Sequence, residues 1–450
     1  MNNTDKLGHE SVGKLIMSLS VPAIAGQIVN MLYNIVDRIY IGHMPRVGGI
    51  ALTGVGITFP IIMLITAFSS LIGMGGAPRA AIKLGENRKN EAENILGNCI
   101  TALLLVSVVL TAVFLYFGES LLWFFGASGE TISYALDYLN VYVIGTVFVQ
   151  LSLGLNPFIT TQGHAKTSMF TVVIGAVVNI ILDPVFIFTL DMGVKGAALA
   201  TIISQAVSAV WVTMFLTSKK SVLKIRKCNM KLDNKIMTPV LFLGMSPFIM
   251  GSTDSLLNIT FNTSLQKYGG DMAVGAMTIM GSLKQILYLP VVGLTQGAQP
   301  IISYNYGAKN NHRVRKAIKI LLVSSMSYAI IFWLLMMLAP RTFVSVFNKE
   351  DPQLIELTVW AMRIFMSSAF LIAAQIACQQ TFIAIGQAKI SVFLALLRKM
   401  VLLIPSILIL PVFFADKTFA VFLAEPVSDV IAVTVTVSLF AIRYKQLLTD

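Results

Sequence analysis

The sequence predicts an all-α integral membrane protein whose twelve transmembrane helices form two six-helix lobes. Three observations predict this fold class. Hydrophobic residues make up 56% of the 450 positions and charged residues only 12%, which is about half the charged fraction of a soluble domain. Apolar runs of about 20 residues or more recur along the chain, and each can cross a bilayer as a helix. The two halves of the sequence also resemble each other.

The apolar runs define twelve predicted spans. They lack the alternating hydrophobicity of barrel strands, so the spans are expected to be helices. Several are long enough to tilt or to extend past the bilayer. In chain order they cover residues 14–41, 50–77, 92–118, 131–160, 167–190, 195–217, 237–264, 272–299, 317–340, 354–384, 389–415 and 418–442.

Basic residues in the loops predict the orientation in the membrane. About 22 Lys and Arg residues fall in one set of loops and about 6 in the other, and the positive-inside rule makes the richer side cytoplasmic. Twelve spans then place both termini in the cytoplasm. We expect a multi-pass protein of the cell (inner) membrane. The net charge of +12 is explained by these loops, so no nucleic-acid partner is expected.

Two pairs of similar segments indicate an internal duplication. Both pairs are offset by nearly the same distance, which is close to half the chain length. GGAPRAAIKLGENRKN (75–90) aligns with GAQPIISYNYGAKNNH (297–312), and GHAKTSMF (163–170) aligns with GQAKISVF (386–393).

The duplication divides the chain into two lobes. We predict an N-terminal lobe at 1–218, a basic cytoplasmic linker at 219–236 and a C-terminal lobe at 237–450. Because each half has six spans, both lobes share one orientation, and their pseudo-two-fold axis runs along the membrane normal. This arrangement is typical of a transporter that alternates access to a central path.

The first span carries a polar stripe. Gln27, Asn30, Asn34 and Asp37 follow one another at spacings of three and four residues, so they share one helical face. A carboxylate inside a membrane is costly, and function is therefore the default hypothesis for Asp37. The alternative is an ion pair with the neighbouring Arg38 at the membrane interface.

The fifth span contains NIILDPVF (179–186). Asn179 and Asp183 are four residues apart and share a face, while Pro184 leaves one backbone carbonyl without its helical donor. A carboxylate, an amide oxygen and a loosened backbone can together bind a hard cation. The alternative is a kinked packing helix. Helical rise places Asp37, Asp183 and Thr201 at one level in the outer part of the bilayer.

These residues and the paired halves resemble the multidrug and toxic compound extrusion (MATE) transporters over nearly the whole chain. The matching features are Pro22 fifteen residues before Asp37, the ILDP segment with Asn179, and Thr201 in the sixth span. The resemblance implies that the first-span Asp, the fifth-span Asn and Asp and the sixth-span Thr form a cation or proton site. The members of this implied site are Asp37, Asn179, Asp183 and Thr201.

The resemblance also implies residues near the site or in its gating. Pro22 would be the proline whose bend is linked to protonation, and Tyr138 would lie near the carboxylates. The motif around Asn156 is looser. Asn34 and Pro184 complete this set, because they lie beside the site residues in sequence.

The C-terminal half lacks this site and has charges of its own. Asn262 takes the repeat position of Asp37. Because lone buried charges are too costly, we predict a paired network. Its members are Lys284, Arg363, Arg398, Glu425 and Asp429, with Asp254 and Lys399 as further intramembrane charges. Either the network only locks the bundle, or it faces the cavity and favours a substrate with an anionic or zwitterionic part.

The sequence thus predicts a cation-coupled (Na⁺ or H⁺) antiporter that exports organic cations, drugs or other amphipathic small molecules by alternating access. We expect a monomer in the lipid bilayer, with no cofactor and no metal beyond a coupling Na⁺. The three cysteines and four histidines match no metal or catalytic spacing, so an enzyme is not expected. A flippase for a lipid-linked precursor is the alternative, and it would require a cationic central cavity.

Overall fold

The computed structural model describes residues 3–45, 47–347 and 351–448, which are helices joined by short connections. The first half of the chain begins with a short helix before the spans. The helices of this half are α1 (Asn3–His9), α2 (Val12–Gly42), α3 (Gly48–Gly85), α4 (Lys89–Phe124), α5 (Ile132–Ile144), α6 (Thr146–Thr161), α7 (Ala165–Pro184), a π-helical turn (Val185–Thr189) and α8 (Gly193–Thr217).

The second half repeats this succession after a segment that contains one 3₁₀ turn, Lys227–Asn229. Its helices are α9 (Asn234–Gly307), α10 (Asn311–Leu338), α11 (Pro340–Ser345), α12 (Pro352–Phe365), a 3₁₀ turn (Ala369–Leu371), α13 (Ile372–Ala384), α14 (Ala388–Leu396), a π-helical turn (Leu397–Leu403), α15 (Ile404–Phe413) and α16 (Lys417–Leu448).

These helices make twelve spans, as predicted. Within the described residues nine helices are long and apolar enough to cross a membrane, and two bent pairs, α5–α6 and α12–α13, each qualify together. A straight α9 of 74 residues would be about 110 Å long, more than three bilayer cores. Its backbone breaks at Gly270, where φ is 66°. We call the parts before and after Gly270 α9a and α9b, and each is one span.

Two spans that the sequence analysis treated as single helices are sharply bent. The angle is 59° between α5 and α6 and 50° between α12 and α13. The first bend is at Gly145, where an added Cβ would lie 2.3 Å from Ile202. A side chain there would displace α8, so glycine permits both the bend and the packing against it. The two bends are separated by about half the chain length, in agreement with the duplication.

The lobes meet most closely on the side of the basic loops, which we call the basic side. A Cβ added at Gly85 at the end of α3 would lie 2.0 Å from the carbonyl oxygen of Tyr304. One added at Gly307 at the end of α9b would lie 2.0 Å from that of Ile82. The two helices therefore touch backbone to backbone. On the opposite side α9a has exposed polar residues such as Asn258 and Asn262, so a cavity opens there.

Helix α1 bridges the two lobes on the basic side. Thr4 Oγ1 donates a hydrogen bond of 3.4 Å to the Gln162 carbonyl in the N-terminal half. Arg313 in the C-terminal half donates from a terminal nitrogen to the carbonyls of Leu7 at 3.0 Å and Glu10 at 2.6 Å. Leu7 is fully buried. This helix therefore stabilises the contact that closes the basic side.

Candidate functional site in the N-terminal lobe

The fifth span brings an amide and a carboxylate together in the lobe interior. Asn179 and Asp183 are both 0% exposed, and Asn179 Nδ2 donates to Asp183 Oδ1 at 3.1 Å. Just beyond Asp183, the α-helix changes into the π-helical turn Val185–Thr189. Pro184 explains the change, because it has no N–H to continue the α-helical hydrogen bonds.

The first span adds the second carboxylate. The carboxyl groups of Asp37 and Asp183 lie next to each other. Three buried oxygens in this cluster have no hydrogen-bond partner within the described residues: Asp37 Oδ1, Asp183 Oδ2 and Asn179 Oδ1. Burial of polar oxygens without donors is unfavourable unless a proton or a cation joins them. The predicted partnership of Asp37, Asn179 and Asp183 is therefore a close contact in the structure.

The alternative of an ion pair between Asp37 and Arg38 is not observed. Among the described residues, no salt bridge joins these two side chains. The Arg38 guanidinium instead lies over the ring of Phe59, 4.5 Å from its centroid. Arg38 therefore acts on the Asp37 carboxylate only at longer range, whereas Asp183 lies next to it.

Hydroxyl groups from three spans surround the carboxylates. The Tyr138 side chain lies beside Thr201 and Asp37, and the Thr201 hydroxyl donates to the Ala197 carbonyl at 3.0 Å. Tyr33 lies beside both Asp37 and Asp183, and the sequence analysis did not single it out. Tyr33 precedes Asp37 by four residues and so shares its helical face, and this spacing could have identified Tyr33 as a site residue.

The remaining predicted residues of this lobe have other contacts. Asn34 Nδ2 donates to the Asn30 carbonyl of its own helix at 2.6 Å. Asn156 accepts from Thr171 Oγ1 at 3.0 Å, so its polar group is used in packing α6 against α7 and not in the carboxylate cluster. Pro22 is buried inside the continuous helix α2, about 22 Å along that helix from Asp37.

Charged network in the C-terminal lobe

Three spans of the C-terminal lobe are joined by ion pairs inside the membrane region. Arg398 donates from Nε and from one terminal nitrogen to Asp429 Oδ1 at 3.0 and 2.9 Å. The same terminal nitrogen lies 3.4 Å from Glu425 Oε1, which Lys284 also contacts. Glu425 and Asp429 are four residues apart on α16, so both face the same neighbours.

A second ion pair adjoins the first. Lys399 Nζ lies 2.5 Å from Asp254 Oδ1 on α9a and also donates to the Met250 carbonyl. Consecutive side chains of an α-helix point in different directions, yet the consecutive residues Arg398 and Lys399 are both buried. Both belong to the π-helical turn Leu397–Leu403. Such turns are frequent at functional sites.

One residue of the predicted network lies elsewhere. Arg363 is exposed and, within the described part of the chain, forms no ion pair. It is in the last turn of α12, whose buried face is made by Ala361, Met362 and Phe365. The side chain therefore points away from the lobe interior. Asp254 and Lys399, which were predicted only as further intramembrane charges, form an ion pair beside the network, whereas Arg363 does not belong to it.

The network borders a cavity of about 580 Å³. Lys284, Arg398, Lys399, Glu425 and Asp254 all line it, together with uncharged polar residues. The network was predicted either to lock the helix bundle or to face the cavity. Its ion pairs do both, because they join four spans and also form a wall of the cavity. Sequence analysis could identify the charges, but the cavity exists only once α9a, α9b and the π-helical turn are assembled.

The polar groups of both lobes determine which metal ions could bind there. Among the described residues no group of three or more His, Cys, Asp or Glu side chains is placed to hold a metal ion. The oxygens around Asp37 and Asp183 are carboxylate, amide and hydroxyl oxygens, which suit a hard cation or a shared proton.

Relationship to known transporters

A family model described as MatE matches two segments of the chain, residues 22–185 and 248–409. One match falls in each half, and together they cover most of the sequence. The chain belongs to the MATE family. The resemblance drawn from Asp37, the ILDP segment and the paired halves is therefore confirmed, and with it the assignment to a family of transporters.

Similar MATE proteins are found in staphylococci. The chain is 27% identical over 433 residues to the multidrug export protein MepA of Staphylococcus haemolyticus. The aligned region covers 96% of this chain and 94% of the relative. It is 24% identical over 403 residues to MepA of Staphylococcus aureus, covering 90% and 88%.

Solved MATE structures share the fold over its whole length. A crystal structure of MATE in the bent conformation superposes with a TM-score of 0.92 at 23% identity, covering 99% of this chain and 98% of that one. A MOP superfamily transporter from Pyrococcus furiosus, described as having a binding pocket of reverse polarity, superposes with a TM-score of 0.90 at 24% identity and the same coverage. The arrangement of two six-helix lobes is thus that of the family.

Proposed function

We propose that this MATE protein is a cation-coupled antiporter that exports organic cations, drugs or other amphipathic small molecules. Entry of Na⁺ or H⁺ into the N-terminal lobe drives export by alternating access. The relatives named as multidrug export proteins support the substrate class. The observation that carries the coupling is the buried pair Asp37 and Asp183, whose free oxygens have no protein donor among the described residues.

The coupling requires that the ion favour one conformation over the other. When Asp37 and Asp183 are both charged and empty, their repulsion separates α2 from α7. A proton or Na⁺ between them removes that repulsion and draws the helices together. Helix α2 also contacts the C-terminal lobe, where Gln27 Nε2 donates to Gln296 Oε1 at 3.2 Å. A movement of α2 is therefore transmitted to the interface between the lobes.

The remaining expectations belong to this proposal. The transporter is a monomer in the cell membrane with both termini and the linker in the cytoplasm, it acts on small molecules, and it is not an enzyme. The flippase alternative required a cationic central cavity. The charges of the C-terminal network are three acidic and three basic, so no observation favours that alternative.

The test is transport by the purified protein in proteoliposomes. Efflux of ethidium is measured under a Na⁺ gradient and, separately, under a pH gradient, for the wild type and for Asp183→Asn. Asp137→Asn is the matched control, because the Asp137 side chain is half-exposed and pairs with Lys195 at 3.3 Å. We expect gradient-driven efflux in the wild type and the control and its loss in Asp183→Asn. Equal efflux by all three proteins would refute the coupling role of the cluster.

A further inference from the structure

We propose that the cavity in the C-terminal lobe is a binding site for zwitterions, meaning small molecules that carry an ammonium group and a carboxylate or similar anion. This inference rests on the proposed export function and narrows its substrate class. The cavity volume of about 580 Å³ is within the range of about 300–1,000 Å³ for sites that bind small molecules.

The two most exposed charges of the cavity wall are one cation, Lys284, and one anion, Asp254. The side chains of Glu425 and Asp429 are 3% and 2% exposed and lie behind their basic partners. Lys284 is 27% exposed and Asp254 is 58% exposed, and both line the cavity. The wall therefore presents an accessible ammonium and an accessible carboxylate, while the deeper charges neutralise each other.

Both accessible groups keep bonding capacity for a ligand. Lys284 has three N–H donors, and its one described ion-pair partner is Glu425. Asp254 accepts from Lys399 through Oδ1, and its side chain is 58% exposed, so Oδ2 can accept from a ligand. A ligand carboxylate can bind Lys284 while a ligand ammonium binds Asp254. Asn258, Asn262 and Gln285 line the same cavity and supply uncharged hydrogen-bonding groups.

The charge balance explains why a simple cation fits this cavity less well. Such a ligand would gain Asp254 but would also face the accessible ammonium of Lys284, and like charges repel strongly where water is excluded. A simple anion meets the opposite problem at Asp254. The N-terminal cluster differs, because no salt bridge to Asp37 or Asp183 is formed within the described part of the chain. The two lobes thus separate the binding of the coupling ion from the binding of substrate.

The test uses three fluorescent probes with one skeleton. Nε-dansyl-lysine is a zwitterion, dansylcadaverine lacks its carboxylate, and Nα-acetyl-Nε-dansyl-lysine lacks its ammonium. Dissociation constants are measured by dansyl fluorescence with the full chain in lipid nanodiscs. We expect the zwitterion to bind about tenfold or more tightly than either analogue, since each lost charge-assisted hydrogen bond weakens binding by that order.

Two variants assign the charges. Lys284→Gln should remove the preference for the zwitterion over dansylcadaverine, and Asp254→Asn should remove its preference over the acetylated probe. Lys267→Gln and Asp271→Asn are the matched controls, because both residues are near Gly270 and outside the cavity lining. Asp254→Asn changes a largely exposed side chain, so it tests the inference even where Lys284→Gln fails to fold.

Equal or tighter binding of dansylcadaverine by the wild type would overturn the inference. An equal weakening of all three probes in both variants would also overturn it, because it would give the charges a structural role only. The proposed coupling is judged separately by ethidium efflux with Asp183→Asn. Coupled efflux without zwitterion preference refutes this inference alone, whereas zwitterion preference without coupled efflux refutes the coupling alone.

Discussion

Arg398 and Lys399 offer a sharp test of what the C-terminal ion pairs contribute to stability. The residues are adjacent, both are buried, and each is paired with an acidic side chain. Their partners differ in exposure, since Asp429 is 2% exposed and Asp254 is 58% exposed. Replacement of each basic residue by Met removes one positive charge, and the two variants differ chiefly in the carboxylate that loses its partner.

The magnitudes follow from what each replacement leaves behind. In Arg398→Met, Glu425 keeps Lys284, but Asp429 loses both hydrogen bonds from Arg398. One carboxylate is then buried without a cation, which lowers the free energy of unfolding by about 3–5 kcal/mol. In Lys399→Met, Asp254 can be hydrated in the cavity, so the expected loss from that ion pair is about 1 kcal/mol or less.

The double variant Arg398→Met with Asp429→Leu separates charge from shape. Replacement of a buried ion pair by apolar side chains of similar volume is often neutral, so this protein should be within about 1–2 kcal/mol of the wild type. Unfolding is measured in SDS-containing mixed micelles by the fluorescence of the four tryptophans. Equal losses in Arg398→Met and Lys399→Met, or a double variant less stable than Arg398→Met, would refute the reasoning.

Two further predictions concern the basic side. Gly85→Val should shift the transporter away from closure on that side, because a Cβ at Gly85 meets the Tyr304 backbone. Spin labels on the ends of α3 and α9b should then lie farther apart. The control Gly49→Val, at a position with open space around it, should leave the distance between the labels unchanged. Burial and the nearby lysines lower the pKa of His164, which packs on Phe215. The unfolded state then binds more protons, so stability should fall as pH drops through about 6.5, and His164→Gln should flatten this slope in thermal unfolding between pH 5 and 7.

The fold could be predicted because a lipid environment leaves few choices. Apolar runs of sufficient length must be helices, and each of the twelve spans was located. Some bounds agree within two residues, as 14–41 does with Val12–Gly42, whereas the helix predicted at 50–77 continues to Gly85. The bends at Gly145 and before Ile372 could not be predicted in the same way. A glycine inside a span is compatible with a straight helix, and the bend at Gly145 depends on Ile202 from α8 occupying the space beside it.

The two candidate sites differ in how much of each the sequence could reveal. In the N-terminal lobe, spacing placed Asn179 and Asp183 on one helical face, helical rise placed Asp37 at their level, and the family resemblance implied a shared site. The structure brings the three side chains together. In the C-terminal lobe, Glu425 and Asp429 are also four residues apart, and this spacing likewise places them on one helical face.

Arg363 shows the limit of that reasoning. A charge can be assigned to a span from sequence, but the direction in which it points depends on which face of the helix is packed. The π-helical turn that contains Arg398 and Lys399 could not be predicted either, because no local pattern in LRKMVLL distinguishes it from an α-helix.

The difference between the lobes has a functional consequence. A duplicated chain begins with the same residues at equivalent positions, yet Asn262 now occupies the place of Asp37, and Glu425 that of Thr201. Among the described residues, the carboxylates of Asp37 and Asp183 form no salt bridge, whereas those of the C-terminal network are paired with Lys and Arg. An unpaired carboxylate pair changes its charge when an ion arrives, and a balanced network does not. Under the coupling proposed above, the first would respond to the ion gradient, and the second would hold substrate without competing for the coupling ion.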